Sequence, residues 1–148
     1  SQYLTHPFFA GEVWPPHNEE KTMSDPLFFN LNDLGQGIHR VLCEGMETRI
    51  FAGDQAMLSV VRAEPNAVGS IHSHPEEQWG VLLEGSGVRI QDGVEHPVTA
   101  GDFWRTPGGV EHGLTSGPDG AVVIDIFAPP RDDYRSAGAG FATDAEDT

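Results

Sequence analysis

His72 and His74 are one residue apart, and Pro75 closes the run before Gln78 opens the next one. In an extended strand alternate side chains share a face, so both imidazoles would point to one place. Two ring nitrogens placed in this way can share a metal ion at roughly 2.0–2.1 Å each. A third imidazole is at hand in His112, which the Pro107-Gly108-Gly109 turn delivers. A lone His-x-His is most often unremarkable, but paired with a second glycine-bounded block ending in histidine it reads as a metal site.

The elements around these histidines read as β-structure. Short β-rich runs fall near 38–43, 46–52, 55–63, 68–74, 78–84, 87–91, 94–99, 102–106, 110–115 and 120–127, separated by Gly, Pro, Asn and Asp. Asp92-Gly93 is the clearest hairpin turn, of type I′. Closely spaced strands without intervening helices predict an all-β sandwich or barrel over 38–130. Residues 1–37 form an irregular extension whose aromatics, including Phe8, Phe9, Trp14, Phe28 and Phe29, predict packing on the barrel or on a partner subunit. A short helix is expected near 26–34, with Pro26 in its first turn. Residues 131–148 read as an acidic tail, loosely ordered after Tyr134.

Composition narrows the function. The chain has 148 residues, one domain's worth, with 23 acidic and 8 basic residues for a net charge of −15. That balance opposes nucleic acid and anionic membranes as partners, since both need a basic footprint. The single cysteine, Cys43, excludes an intramolecular disulfide and a cysteine-based zinc site. With no apolar run of membrane length and no signal pattern, a cytoplasmic location is the default expectation.

The two blocks, Gly69 to Gly85 around His72, His74 and Gln78, and Gly101 to Ser116 around Pro107, Gly109 and His112, resemble the paired motifs of the cupin superfamily. Those motifs usually read G-x5-HxH-x3,4-E-x6-G and G-x5-PxG-x2-H-x3-N. Here the spacer after Gly69 is shorter, Gln78 stands for the glutamate and Ser116 for the final asparagine. The resemblance implies a single-domain jelly-roll barrel holding one divalent metal ion (Zn, Ni, Fe or Mn) on His72, His74, Gln78 and His112, and a homodimer. An open three-histidine site with Gln78 as a non-ligand is the other reading. As a ligand, Gln78 would leave the ion's charge uncompensated by protein. That favours Lewis-acid chemistry and an anionic substrate over redox use of oxygen.

The last β-rich run, Asp125-Ile-Phe127-Ala-Pro-Pro-Arg131-Asp-Asp-Tyr134, together with the His72–Gln78 block, resembles the KdgF-type small cupins of uronate metabolism. That resemblance implies three histidines and a glutamine on the metal, with Asp125, Phe127 and Arg131 beside it. It also implies conversion of 4,5-unsaturated uronates. Asp125 would be the general acid/base, Arg131 the partner of a substrate carboxylate, and Phe127 an apolar wall. The function expected is a metal-dependent lyase or isomerase of a small carboxylated or carbonyl substrate. The alternatives are a non-haem iron dioxygenase and a non-catalytic small-molecule binder. Arg62, Arg89 and Arg105 lie in strand-like runs but parity alone does not place them. Trp79 and Trp104 read as barrel packing, Glu76 and Glu77 as solvated turn residues, and His6, His17, His39 and His96 as surface.

Overall fold

A computed structural model describes residues 26–142. The barrel unit begins at Leu34. It contains β1 (Ile38–Cys43), β2 (Met46–Ala52), β3 (Met57–Ala63), β4 (Glu77–Gln91), β5 (Val94–Thr99), β6 (Phe103–Thr106), β7 (His112–Ala128) and β8 (Gly138–Ala139), with a 3-10 turn at Asp132–Arg135 between the last two. The strands follow the order β5-β4-β7-β3-β2-β1-β8, and β6 pairs with β4. This is the all-β jelly roll that the motifs imply. None of the described residues forms a helix long and apolar enough to cross a membrane.

Alternation explains the core. Leu42, Met46, Ile50, Met57, Val61, Leu82, Val123 and Phe127 point inward and are buried, whereas Trp79, between Gln78 and Gly80, is 43% exposed on the outer face and does not fill the barrel. The Asp92-Gly93 turn forms as expected, with both residues at positive φ (52° and 78°).

Four expectations about elements are corrected. The runs 110–115 and 120–127 form a single strand, β7. The runs 78–84 and 87–91 form one strand, β4, with register shifts between Leu82 and Glu84 and between Gly85 and Gly87. Gly85, at φ 86°, lies so close to the Gly120 carbonyl that a side chain would not fit. Residues 68–74 are not a strand. They follow β7 through isolated bridges, Val68 to Thr115 and His72 to His112, with Pro75 ending any ladder. No helix forms over 26–34. Asn30 Oδ1 accepts the Asn32 N–H at 2.8 Å and the Asn30 carbonyl accepts the Asp33 N–H at 3.0 Å, so an asparagine turn takes the backbone groups a helix would need.

The segment after Tyr134 is also better tied down than a loose tail. Gly138 and Ala139 pair in parallel with Arg40 and Val41. Buried Arg40 donates to the carbonyls of Gly140 (2.7 Å), Ala139 (2.8 Å) and Asp133 (3.3 Å). Arg131 Nη2 donates to those of Phe141 (2.5 Å) and Ala142 (2.9 Å), and Phe141 is buried. The expectations placed on Phe8, Phe9, Trp14, His6, His17 and residues 143–148 lie outside the described residues.

Candidate metal centre and its cavity

His72, His74 and His112 are all buried, and one nitrogen of each lies within 4.8 Å of the others'. Each ring is oriented by its own backbone. His72 Nδ1 is 2.8 Å from the Ser70 carbonyl, His112 Nδ1 2.8 Å from that of Val110, and His74 Nδ1 3.1 Å from that of Glu76. A Nδ1–H donated to a carbonyl leaves Nε2 as a lone pair facing its neighbours, the tautomer a metal needs. The convergence expected of a strand is thus achieved by a loop.

Burial pushes the imidazoles far below their ordinary range, to about 4 for His72 and His74 and about 2 for His112, with buried arginines adding to the effect. All three are neutral at physiological pH. The His112 Nε2 atom is enclosed and has no hydrogen-bond partner, which a cation would remedy.

Gln78, 3% exposed, enters from the second residue of β4 with its Oε1 2.9 Å from His74 Nε2. With His74 Nδ1–H directed at Glu76, these are two acceptors facing one another. Two donor atoms about 2.1 Å from one ion and at right angles would stand about 3.0 Å apart. The three imidazoles and the Gln78 oxygen therefore fit a divalent ion, which would supply Lewis acidity undiminished by any ligand charge.

Asp125 faces the same cavity from the middle of β7, between Gly80 and Ser59 in the ladders. Its Oδ1 is shut off from solvent with no partner. Burial raises its pKa, opposed by the Arg89 charge, the Gln78 amide and the Arg131 charge. The Gln78 amide can thus serve Asp125 while its carbonyl serves the histidines, whereas a glutamate there would set two carboxyls together.

Phe127 is buried under the cavity and meets His74 edge-on at 5.4 Å. Arg131, 3% exposed, stacks over Tyr134 at 4.0 Å and Phe127 at 5.2 Å, with Glu76 4.0 Å from its Nε. Glu76 is not a solvated turn residue: its carboxylate is also 3.4 Å from His74 Nδ1. Glu77 does face solvent, paired with Arg105 at 3.2 Å. His39 and His96 are at the surface.

Two further residues line the cavity, Trp104, expected as barrel packing, and Arg89, which parity does not place. Trp104 pairs with Gly80 across β6 and β4 and lines the cavity, its Nε1 buried without a partner. Arg89 is 5% exposed and also lines it. The register shift after Leu82 resets the alternation between Gln78 and Arg89, so counting from Gln78 misplaces it. Ser116, at the motif's asparagine position, closes the loop before the site, accepting the Ala67 N–H and donating to the Glu64 carbonyl. The enclosed space is about 40 Å³, room for an ion and a few waters.

Residues 59–127 match the Cupin domain family. The barrel is a cupin. Its relatives include the dimethylsulfoniopropionate lyase DddW of Ruegeria pomeroyi, 35% identical over 89 residues, 60% of this chain and 57% of that protein. The chain thus spans little more than half the length of that relative. The pectin degradation protein KdgF of Dickeya dadantii is 29% identical over 103 residues, covering 69% of this chain and 87% of its own. Among solved structures, KdgF from a Halomonas species superposes with a TM-score of 0.65 at 25% identity, over 74% of this cupin and 98% of that chain. The chain is therefore a small cupin that resembles KdgF.

Proposed function

We propose that this cupin is a metal-dependent isomerase or lyase of a small carboxylated sugar, a 4,5-unsaturated uronate being the substrate class that fits best. The reading rests above all on a buried carboxyl with a free oxygen, Asp125, set in one cavity with the neutral imidazoles of His72 and His112 and with Gln78. Its resemblance to KdgF, a pectin degradation protein, supports the choice of sugar. A divalent ion on His72, His74, Gln78 and His112 would polarise a bound sugar oxygen.

The side chains suit the reaction. Opening a cyclic unsaturated uronate breaks the bond between C1 and the ring oxygen as the C1 hydroxyl loses its proton. The enolate so formed gains a proton at C4 and becomes a ketone, so the sum is an isomerisation without a co-substrate. Asp125 would take the first proton as a carboxylate and deliver it at C4, burial strengthening its hold on the proton between the two steps. Phe127 would give the sugar ring an apolar wall. Arg131, whose Nη2 is taken up by the carbonyls of Phe141 and Ala142, would shape the wall beside Phe127.

The DddW likeness raises a sulfonium substrate as a second reading. Against it, the aromatic faces that would receive a sulfonium already carry guanidinium groups: Trp104 under Arg89, Phe127 and Tyr134 under Arg131. Proton NMR of the enzyme with an unsaturated galacturonate tests the reading. Loss of the vinylic C4 proton signal, abolished in Asp125→Asn with metal content unchanged, is expected. An unaltered spectrum with the metal-loaded wild type would refute it.

A further inference from the structure

Arg89 has no part in the reaction just described, yet it lies in the same cavity. Its bonds all go to neutral oxygens: Nη2 donates to Thr106 Oγ1 at 2.8 Å and Nε to Gln91 Oε1 at 3.4 Å, while Thr106 in turn donates to Gln91 at 2.7 Å. Its ion-pair partner is missing, for no carboxylate among the described residues lies within 4.0 Å of the guanidinium. Burial brings its pKa down to about 10, and Asp125 is the group that opposes the shift.

A buried cation without an anion is destabilising, and an apolar residue of equal volume would serve the fold better. Something other than stability therefore calls for an arginine. Trp104 sits beneath it, ring centroid 5.4 Å from the guanidinium carbon, and its buried indole N–H has no acceptor. An indole N–H without an acceptor and a guanidinium without a counter-ion thus line one cavity. A planar oxyanion with two acceptor oxygens satisfies both.

We propose that Arg89 and the Trp104 indole N–H form an anion subsite inside the barrel that holds a carboxylate of the ligand. The site is separate from Arg131, whose Nη2 is taken up by the Phe141 and Ala142 carbonyls in this conformation. The proposal rests on the reading above only in taking the ligand to be a carboxylate, here a sugar acid.

Calorimetric titration of the zinc-loaded protein with galacturonate and with its neutral methyl ester tests it, because both are saturated and neither can react by the proposed route. Arg89→Met should weaken galacturonate binding by about tenfold or more and leave the ester unchanged. Arg89→Lys should fall between, keeping the charge without the fork. Trp104→Phe keeps an aromatic ring but removes the N–H together with part of the indole, and should weaken the acid selectively, so the test survives a failure of Arg89→Met to fold. Metal-free Arg89→Met should melt no lower than wild type.

The proposal is overturned if galacturonate fails to bind the wild type or binds the Arg89 variants equally well. It is overturned too if only Arg131→Met weakens the acid, or if acid and ester are lost together with a lower melting temperature, which would mark Arg89 as a structural partner of Asp125. Turnover of the unsaturated sugar with unchanged binding in Arg89→Met would sink this subsite and keep the reaction. Selective loss of binding without any turnover would do the reverse.

Discussion

Phe141 lies against His72 with ring centroids 4.4 Å apart and 25° between the planes, so a residue near the end of the chain covers an imidazole of the candidate metal centre. The cavity behind it, about 40 Å³, has room for an ion and a few waters but not for a sugar. A sugar therefore enters only as this segment moves aside. Phe141→Ala should lower the Michaelis constant for a sugar acid severalfold and cost about 3 kcal/mol of stability. Steady-state kinetics and urea unfolding measure the two. An unchanged Michaelis constant would show that entry occurs elsewhere.

Gly80 is opposite Asp125 on one side and Trp104 on the other. A Cβ at this position would stand 2.5 Å from Trp104 Nε1 and 2.9 Å from Asp125 Oδ1. Gly80→Ala must displace one of them. Its expected cost is about 1–3 kcal/mol in stability, with turnover reduced at least about tenfold, since a small misplacement of a reacting group is enough. Metal content, by elemental analysis, should not change.

The neutral imidazoles make the metal-free protein sensitive to acid. Below about pH 6.5 the unfolded chain takes up protons that folded His72 and His74 refuse until about pH 4, and His112 until about pH 2. The unfolded state binds more protons in this window, so stability falls as the pH falls through it. Taken singly, His72 and His74 each account for roughly 3 kcal/mol. Asp125 has the opposite sign: with its pKa raised, it adds stability at low pH that is lost as the pH rises above 3.8. The histidines outnumber it. Thermal melts from pH 7 to pH 4 should show a falling midpoint, less steep in a variant with His112→Gln.

Gln78→Glu separates Lewis-acid from oxygen chemistry. The new charge should tighten metal binding and, by neutralising the ion and crowding Asp125, slow turnover by about tenfold or more. Metal competition with a chelator and turnover assays read both effects. Faster turnover in the glutamate variant would contradict the proposed use of the ion.

Much of this was legible in the chain. The Asp92-Gly93 turn, the strand β2 and the histidine pair declare themselves through local chemistry, and Asp125 stands out as a carboxyl in an apolar run. What was hidden depends on relations across the fold. The register shift after Leu82, where β4 has one residue more than β7, turns Arg89 inward against the count from Gln78. Trp104 looks like core filler until Gly80 leaves it a gap. The small-residue sequence after Tyr134 carries no sign that Arg40, about a hundred residues earlier, would fasten its carbonyls.

The most direct measurement is turnover of a 4,5-unsaturated uronate under argon, following its conjugated ultraviolet absorbance with metal-stripped and metal-reconstituted protein. Decay only after a divalent metal is restored, at the same rate with and without oxygen, is the expected result. Decay that requires oxygen, or proceeds equally without metal, would contradict a metal-assisted proton transfer centred on Asp125.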